Sequence, residues 1–206
     1  MAGSQAENPL IVQGDHTILV EVASPRYLEA RDRLTGFAEL IKAPEHVHTY
    51  RVTPLSIWNA CAAGVSAEEI VKTLQEFSKY PVPEHVMVGI RDYASRYGRL
   101  RLARDPRGLV LSALDEPLAE EVARNKHVAP FLKERLSALE FRIEPVARGE
   151  IKQALVKVGF PAEDLAGYTD GETLQFALQG TTRSGQPFAL RPYQASAVEA
   201  FHAAGA

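Results

Sequence analysis

Six arginines lie close together between residues 91 and 107, and only two acidic residues accompany them. This window has a formal charge of +4, whereas the rest of the chain sums to −7. Because the planar guanidinium group presents several donors to phosphate oxygens, the pattern predicts contacts with a nucleic-acid backbone. The predicted contact residues are Arg91, Arg96, Arg99, Arg101, Arg104 and Arg107. A solvated strand face, or contacts with the acidic surface of a partner protein, are the alternative interpretations.

The sequence contains few residues that could bind a metal or act as a reactive thiol. His46 and His48 lie two apart on a predicted strand and could chelate a metal from one face, with Glu45 and His16 as further candidates. Hydrogen-bonded rings at ordinary strand positions are the simpler interpretation, so we expect no metal and no cofactor in this chain. The single cysteine, Cys61, excludes an internal disulfide framework and is predicted to be a small buried hydrophobe.

One glycine-rich segment imitates a nucleotide-binding loop. Residues 180–185 read GTTRSG, but Gln186 and Pro187 stand where a phosphate loop requires a lysine and a hydroxyl residue. The sequence also contains no G-x-S-x-G or H-E-x-x-H motif. We therefore expect no catalytic residues and no catalysis by this polypeptide alone.

The composition is that of a globular protein. The 206 residues are 46% hydrophobic and 24% charged, and the net charge of −3 excludes a general polycation. The first eight residues do not resemble a signal peptide, and no run of about 18 apolar residues could span a membrane. These features predict a cytoplasmic protein without membrane contacts.

The elements that would position these residues begin with a small β-rich unit. Gly14 and Asp15 separate two apolar runs, which predicts a hairpin. A helix is expected from Ser24 and Pro25 up to Pro44, followed by a strand over residues 46–53.

Three helices are predicted next. The first starts at Thr53, the second at a capping box that opens with Ser66, and the third ends at Gly98. A hairpin over residues 99–111 follows them, with its turn at residues 105–108. Three short helices and a hairpin are the element order of a winged helix-turn-helix.

The remaining pattern predicts a second, smaller α+β unit. A helix after Asp115, a strand over residues 139–144 and a helix over residues 151–158 follow the hairpin. The turn-rich stretch after them predicts a linker, and a final helix is expected over residues 193–204. The predicted fold class is α+β, with a tail (1–8), a winged-helix-like domain (9–98), an α+β module (99–165), a linker (166–189) and a final segment (190–206).

Several strings in the chain resemble the N-terminal region of XPB-type DNA repair helicases of superfamily 2, in their bacterial form. They are QGDHTILVEV (13–22), PEHVHTYRVTPLSIWNA (44–60), SKYPVP (78–83), SRYG (95–98), DLAGY (164–168) and FALRPYQ (188–194). The resemblance covers almost the whole chain after residue 8.

The resemblance implies a parent protein with a motor of two RecA-like lobes, which uses ATP and magnesium to move along DNA in the 3′ to 5′ direction. Residues 190–206 would begin the first lobe, with Arg191, Tyr193 and Gln194 as an incomplete nucleotide-binding site. The phosphate loop of that family would follow within a few dozen residues, whereas this sequence stops at Ala206. ATP hydrolysis and unwinding are therefore expected of the missing part.

For the residues present, the resemblance implies an accessory role in DNA repair, including nucleotide excision repair. The module at 99–165 would be damage-recognition-like, and the expected partners are duplex, forked or damaged DNA, a nuclease or other repair protein, and the helicase lobes. A protein-docking module that never touches DNA is the alternative.

Overall fold

The computed structural model describes residues 7–167 and 178–203, apart from the side chain of residue 202. It separates into two compact units, residues 1–167 and residues 168–206. Residues 1–6 of the predicted tail, residues 168–177 of the predicted linker and residues 204–206 lie outside the described part.

The first unit opens with a four-stranded antiparallel sheet in the order β1-β2-β4-β3. Ile18, Val20 and Tyr50 point to one face of it and are buried in the first hydrophobic core. The elements are β1 (Leu10–Val12), β2 (Thr17–Glu21), α1 (Tyr27–Leu34), β3 (Glu39–Lys42) and β4 (Val47–Arg51).

The prediction of one helix up to Pro44 is wrong. Helix α1 ends at Leu34, and a turn in which Phe37 and Ala38 donate backbone hydrogen bonds to the Leu34 carbonyl leads into β3. Phe37 is buried through this turn, whereas Ile41, which fits the helical spacing, is 48% exposed on the sheet edge. The helical spacing of apolar residues in this stretch therefore comes from a helix, a turn and a strand in succession.

The three predicted helices form at the predicted places: α2 (Pro54–Ala62), α3 (Ala67–Phe77) and α4 (Glu84–Arg96). Thr53 caps α2 by accepting a hydrogen bond from the Ser56 amide, and Ser66 caps α3 in the same way from Glu69. Gly64 ends the first of these helices with a φ of +87°, a conformation that glycine adopts at little cost.

A five-stranded sheet follows, in the order β7-β8-β6-β5-β9. The predicted hairpin is present as β5 and β6, and it forms the centre of this sheet, because β8 pairs with β6 and β9 pairs in parallel with β5. The elements are β5 (Leu100–Asp105), β6 (Gly108–Ala113), α5 (Glu116–Arg124), β7 (Leu132–Arg135), β8 (Glu140–Ile143), α6 (Arg148–Lys157) and β9 (Ala162–Asp164).

Two hydrophobic clusters stabilise the first unit. One joins the first sheet with α1 to α4. The other joins the inner face of the second sheet, which carries Leu100, Leu102 and Leu111, to α5 and α6. Two sheets with helices packed on them confirm the predicted α+β class.

In the second unit, α7 (Pro192–Ala203) lies at the predicted last helix. The GTTRSG loop folds back on itself. The Thr182 amide donates a hydrogen bond to the Gln186 carbonyl, and Thr181 and Pro187 form an isolated antiparallel β-bridge. Among the described residues, no helix is both long and apolar enough to cross a bilayer.

Candidate nucleic-acid interface

The outer face of the second sheet carries a row of polar side chains across four strands. Strand register aligns Glu140 of β8, Ser112 of β6, Arg101 of β5 and Glu163 of β9. Leu100 and Leu102, which flank Arg101 in β5, are fully buried on the opposite face of the sheet. Because side chains alternate along a strand, Arg101 lies on the outer face. Arg101 Nε donates to Glu163 Oε2 at 3.0 Å, and the Arg101 side chain stays 62% exposed.

Arg107 extends this row from the turn between β5 and β6. Its guanidinium donates to Asp105 at 2.6 Å and to Glu140 at 2.8 Å. The hydrogen bonds from Arg107 lower the pKa of the Glu140 carboxyl and of the Asp105 carboxyl. Arg107 is therefore paired with one carboxylate in its own turn and with a second one on β8.

Arg96 and Arg99 converge on one aromatic ring where α4 leads into β5. Their guanidinium carbons lie 6.0 and 5.9 Å from the Phe160 ring centroid. Arg96 also donates to Asp92 at 2.7 Å, and Arg99 donates to Asp115 at 3.0 Å. Arg96 and Arg99 therefore share one aromatic contact.

The other two predicted arginines lie elsewhere. Arg91 on α4 makes two hydrogen bonds to Glu68 on α3, at 2.8 and 3.1 Å. Arg104 is opposite the buried Leu109 in the register, so strand alternation assigns it to the face that carries the core. The six arginines that are close in sequence are therefore distributed over more than one surface.

Acidic partners from distant parts of the chain change the charge balance. Within the described residues, Arg91 pairs with Glu68, Arg96 with Asp92, Arg99 with Asp115, Arg101 with Glu163, and Arg107 with both Asp105 and Glu140. These acidic residues equal the six arginines in number, so the local excess of +4 disappears in the folded chain. Sequence reasoning counted Asp92 and Asp105 but missed the four partners outside the window, because their separation from the arginines reaches 62 residues and no local motif marks them.

A partly buried ion cluster anchors β9 and thereby positions Glu163. Asp164, 14% exposed, accepts hydrogen bonds from Arg148 at 2.8 and 3.0 Å and from Lys152 at 2.7 Å. Burial alone would raise the pKa of the Asp164 carboxyl, but the hydrogen bonds from Arg148 and Lys152 outweigh it and lower the pKa to about 2. The backbone amide of Leu165 donates to the Leu102 carbonyl at 2.8 Å and continues the pairing with β5.

The metal candidates are not assembled into a site. His48 Nδ1 lies 3.0 Å from the Tyr27 hydroxyl, and the two rings meet edge to face. Within residues 7–167 and 178–203, no three His, Cys, Asp or Glu side chains come together as metal ligands. Cys61 packs against the first core, and burial raises the pKa of its thiol.

The residues predicted for nucleotide binding lie at the start of α7. Gln194 Oε1 accepts a hydrogen bond from the backbone amide of Arg191 at 3.0 Å, and Tyr193 is mostly exposed. Gln194 therefore closes the first turn of α7, and its role toward a nucleotide stays a prediction.

Comparison with known proteins defines the class. The family model described as "Helicase conserved C-terminal domain" matches residues 10–137, and the chain belongs to this family. The matched residues include the first sheet, the helices α2 to α4 and the arginine-bearing hairpin.

Individual relatives are XPB helicases. The chain is 50% identical over 198 residues to "DNA 3'-5' helicase XPB" of Kineococcus radiotolerans, covering 95% of this chain and 34% of that protein. It is 48% identical over 200 residues to the protein of the same name from Mycobacterium tuberculosis, covering 97% of this chain and 36% of the relative. A segment of 98 residues, 47% of this chain and 12% of the relative, is 35% identical to the "General transcription and DNA repair factor IIH helicase/translocase subunit XPB/SSL2" of Saccharomyces cerevisiae. The resemblance to XPB-type helicases is thus confirmed, and the chain spans about a third of the length of its two bacterial relatives.

Proposed function

We propose that this chain is a non-catalytic, DNA-contacting accessory segment of an ATP-dependent 3′ to 5′ helicase or translocase that acts in DNA repair. The names of the bacterial relatives support the helicase assignment. The observation that carries the DNA contact is the convergence of Arg96 and Arg99 on Phe160, with Arg101 next along β5.

The exposure of these side chains is compatible with phosphate binding. Arg96 and Arg99 are each 35% exposed, and their carboxylate partners are more exposed than they are. Exposed ion pairs contribute only about 0–1 kcal/mol, so a phosphate oxygen can replace a carboxylate at small cost. Contacts with phosphates do not distinguish between bases, and we expect the resulting DNA affinity to fall steeply as the salt concentration rises.

The domain roles belong to the same proposal. Residues 9–98 would form a winged-helix-like module and residues 99–165 a damage-recognition-like module, joined where α4 leads into β5. ATP and magnesium would bind to the full-length helicase, and Arg191, Tyr193 and Gln194 would contribute to its nucleotide site. A nuclease or the motor lobes would be protein partners of this segment.

A DNA titration of the purified chain tests the proposal. We expect a labelled duplex to bind at low salt, and the variant R96A/R99A/R101A to bind at least tenfold more weakly, since three phosphate contacts are removed. The matched control R31A/R33A/R124A loses the same charge outside the site and is expected to retain most of the affinity. Equal affinities of the two variants would refute the site.

The second candidate is a protein-docking module that never contacts DNA, and the exposed edge strand β3 favours it. All four residues of β3 are exposed, including Leu40 at 53% and Ile41 at 48%, and an open strand edge can pair with another chain. This function predicts no DNA binding at low salt, together with capture of the separated motor lobes or of a nuclease. Loss of that capture in the variant L40K/I41K would support it.

A further inference from the structure

Arginine and carboxylate side chains share the outer face of the second sheet, and the carboxylates there are less exposed than the arginines. Glu163 and Glu140 are 27% and 29% exposed, whereas Arg101 and Arg107 are 62% and 48% exposed. Glu163 belongs to β9, which Asp164 anchors to α6, and Glu140 belongs to β8, which is paired on both sides. The acidic groups therefore belong to anchored strands, and the more exposed guanidinium groups are accessible to a ligand.

We propose that Glu140 and Glu163 act as intramolecular substitutes for phosphate, and that they set the DNA affinity of this face by competing for Arg107 and Arg101. The inference rests on the proposed function. A carboxylate and a phosphate both offer oxygen pairs to the same donors of a guanidinium. DNA must therefore compete with the carboxylates for these donors.

Geometry distinguishes these two glutamates from the other acidic partners. They lie in one row with Arg101 on neighbouring strands, so a backbone that crosses the strands would meet both. Asp164 faces Arg148 and Lys152 instead, and its burial gives it a structural role. Asp105 is joined to Arg107 within the same turn and also accepts the Arg107 backbone amide, so it shapes the turn.

Removing the two competing charges should increase the DNA affinity. Because each exposed pair has a small coupling energy, we expect about threefold tighter binding for E163Q or E140Q alone and about tenfold for the double variant at low salt. The slope of log Kd against log salt should become steeper by about one to two, since two more cations are available to replace counterions.

The experiment compares the parent chain, E140Q/E163Q and the control E121Q/E150Q by titration of a fluorescein-labelled duplex between about 50 and 200 mM salt. The control changes the net charge equally, but its residues lie on α5 and α6, which pack on the opposite face of the sheet. Thermal unfolding of each variant establishes that it is folded, and either single variant replaces the double if the double does not fold. Adding R101A to E163Q should abolish the gain caused by that substitution.

The possible outcomes separate this inference from the proposed function. Tighter binding by E140Q/E163Q than by E121Q/E150Q, reversed by R101A, supports the competition. If the parent chain binds DNA and the two double variants bind equally, the competition is refuted and the proposed function stands. If no form of the chain binds DNA at low salt, both are refuted.

Discussion

The ion cluster of Asp164 gives the sharpest stability prediction, for the substitution Asp164→Asn. The asparagine keeps the shape of the side chain but removes the charge that Arg148 and Lys152 share. A pKa held at about 2 instead of 3.8 corresponds to about 2 kcal/mol. Partial exposure and screening reduce the expected loss in the free energy of unfolding to about 1–2 kcal/mol at pH 7.

The pH dependence of this loss follows from the direction of the shift. Because the folded-state pKa of Asp164 lies below its unfolded value, its stabilisation is fully present above pH 3.8 and is lost as the pH falls through about 2. Urea unfolding of parent and variant at several pH values measures it, with Asp92→Asn, which breaks the exposed pair with Arg96, as the control. We expect less than about 0.5 kcal/mol for the control. A loss for Asp164→Asn that equals the control, or that persists unchanged at pH 2, would refute the assignment.

Three further predictions concern the packing around α4. An alanine Cβ at Gly89 would lie 3.1 Å from His16 Nε2, so Gly89→Ala should fail to stabilise the chain. In a His16→Asn background the same substitution should add the usual helical gain of about 1 kcal/mol, and urea unfolding of the four variants tests the contact. Burial, and after it the charge of His85, lowers the pKa of His16, so the stability of the chain should decline as the pH falls below about 6.5. In thermal unfolding as a function of pH, the variant His16→Asn should not show this decline. Trp58→Phe should cost about 1–2 kcal/mol in urea unfolding, because Trp58 Nε1 donates to the Tyr93 carbonyl in the last turn of the helix; an unchanged midpoint would contradict this.

Local signals in the sequence predicted α2 and α3 well. Thr53 and Ser66 cap the helices that follow them, and Gly64 ends the first of these helices, because capping depends on residues within one turn of the chain. Strand β3 was not predictable in this way. Ile41 continues the helical spacing of α1, and only pairing with β4 reveals that this segment forms a strand.

The arginines of the candidate site were visible in the sequence, but their environment was not. The local charge count included only acidic residues inside the window, whereas Glu163 and Glu140 reach Arg101 and Arg107 through strand pairing across the sheet. Short strands such as β9 have too few residues for a recognisable alternation. The charge balance of a surface is therefore a property of topology, and a cluster of like charges in sequence need not remain one after folding.

Backbone hydrogen exchange of the purified chain, with and without duplex DNA at low salt, tests the DNA contact most directly. Slower exchange is expected at the end of α4 and along the β5–β6 hairpin, where Arg96, Arg99, Arg101 and Arg107 lie. Exchange that is unchanged in these elements, or slowed only at β3, would contradict the proposed function.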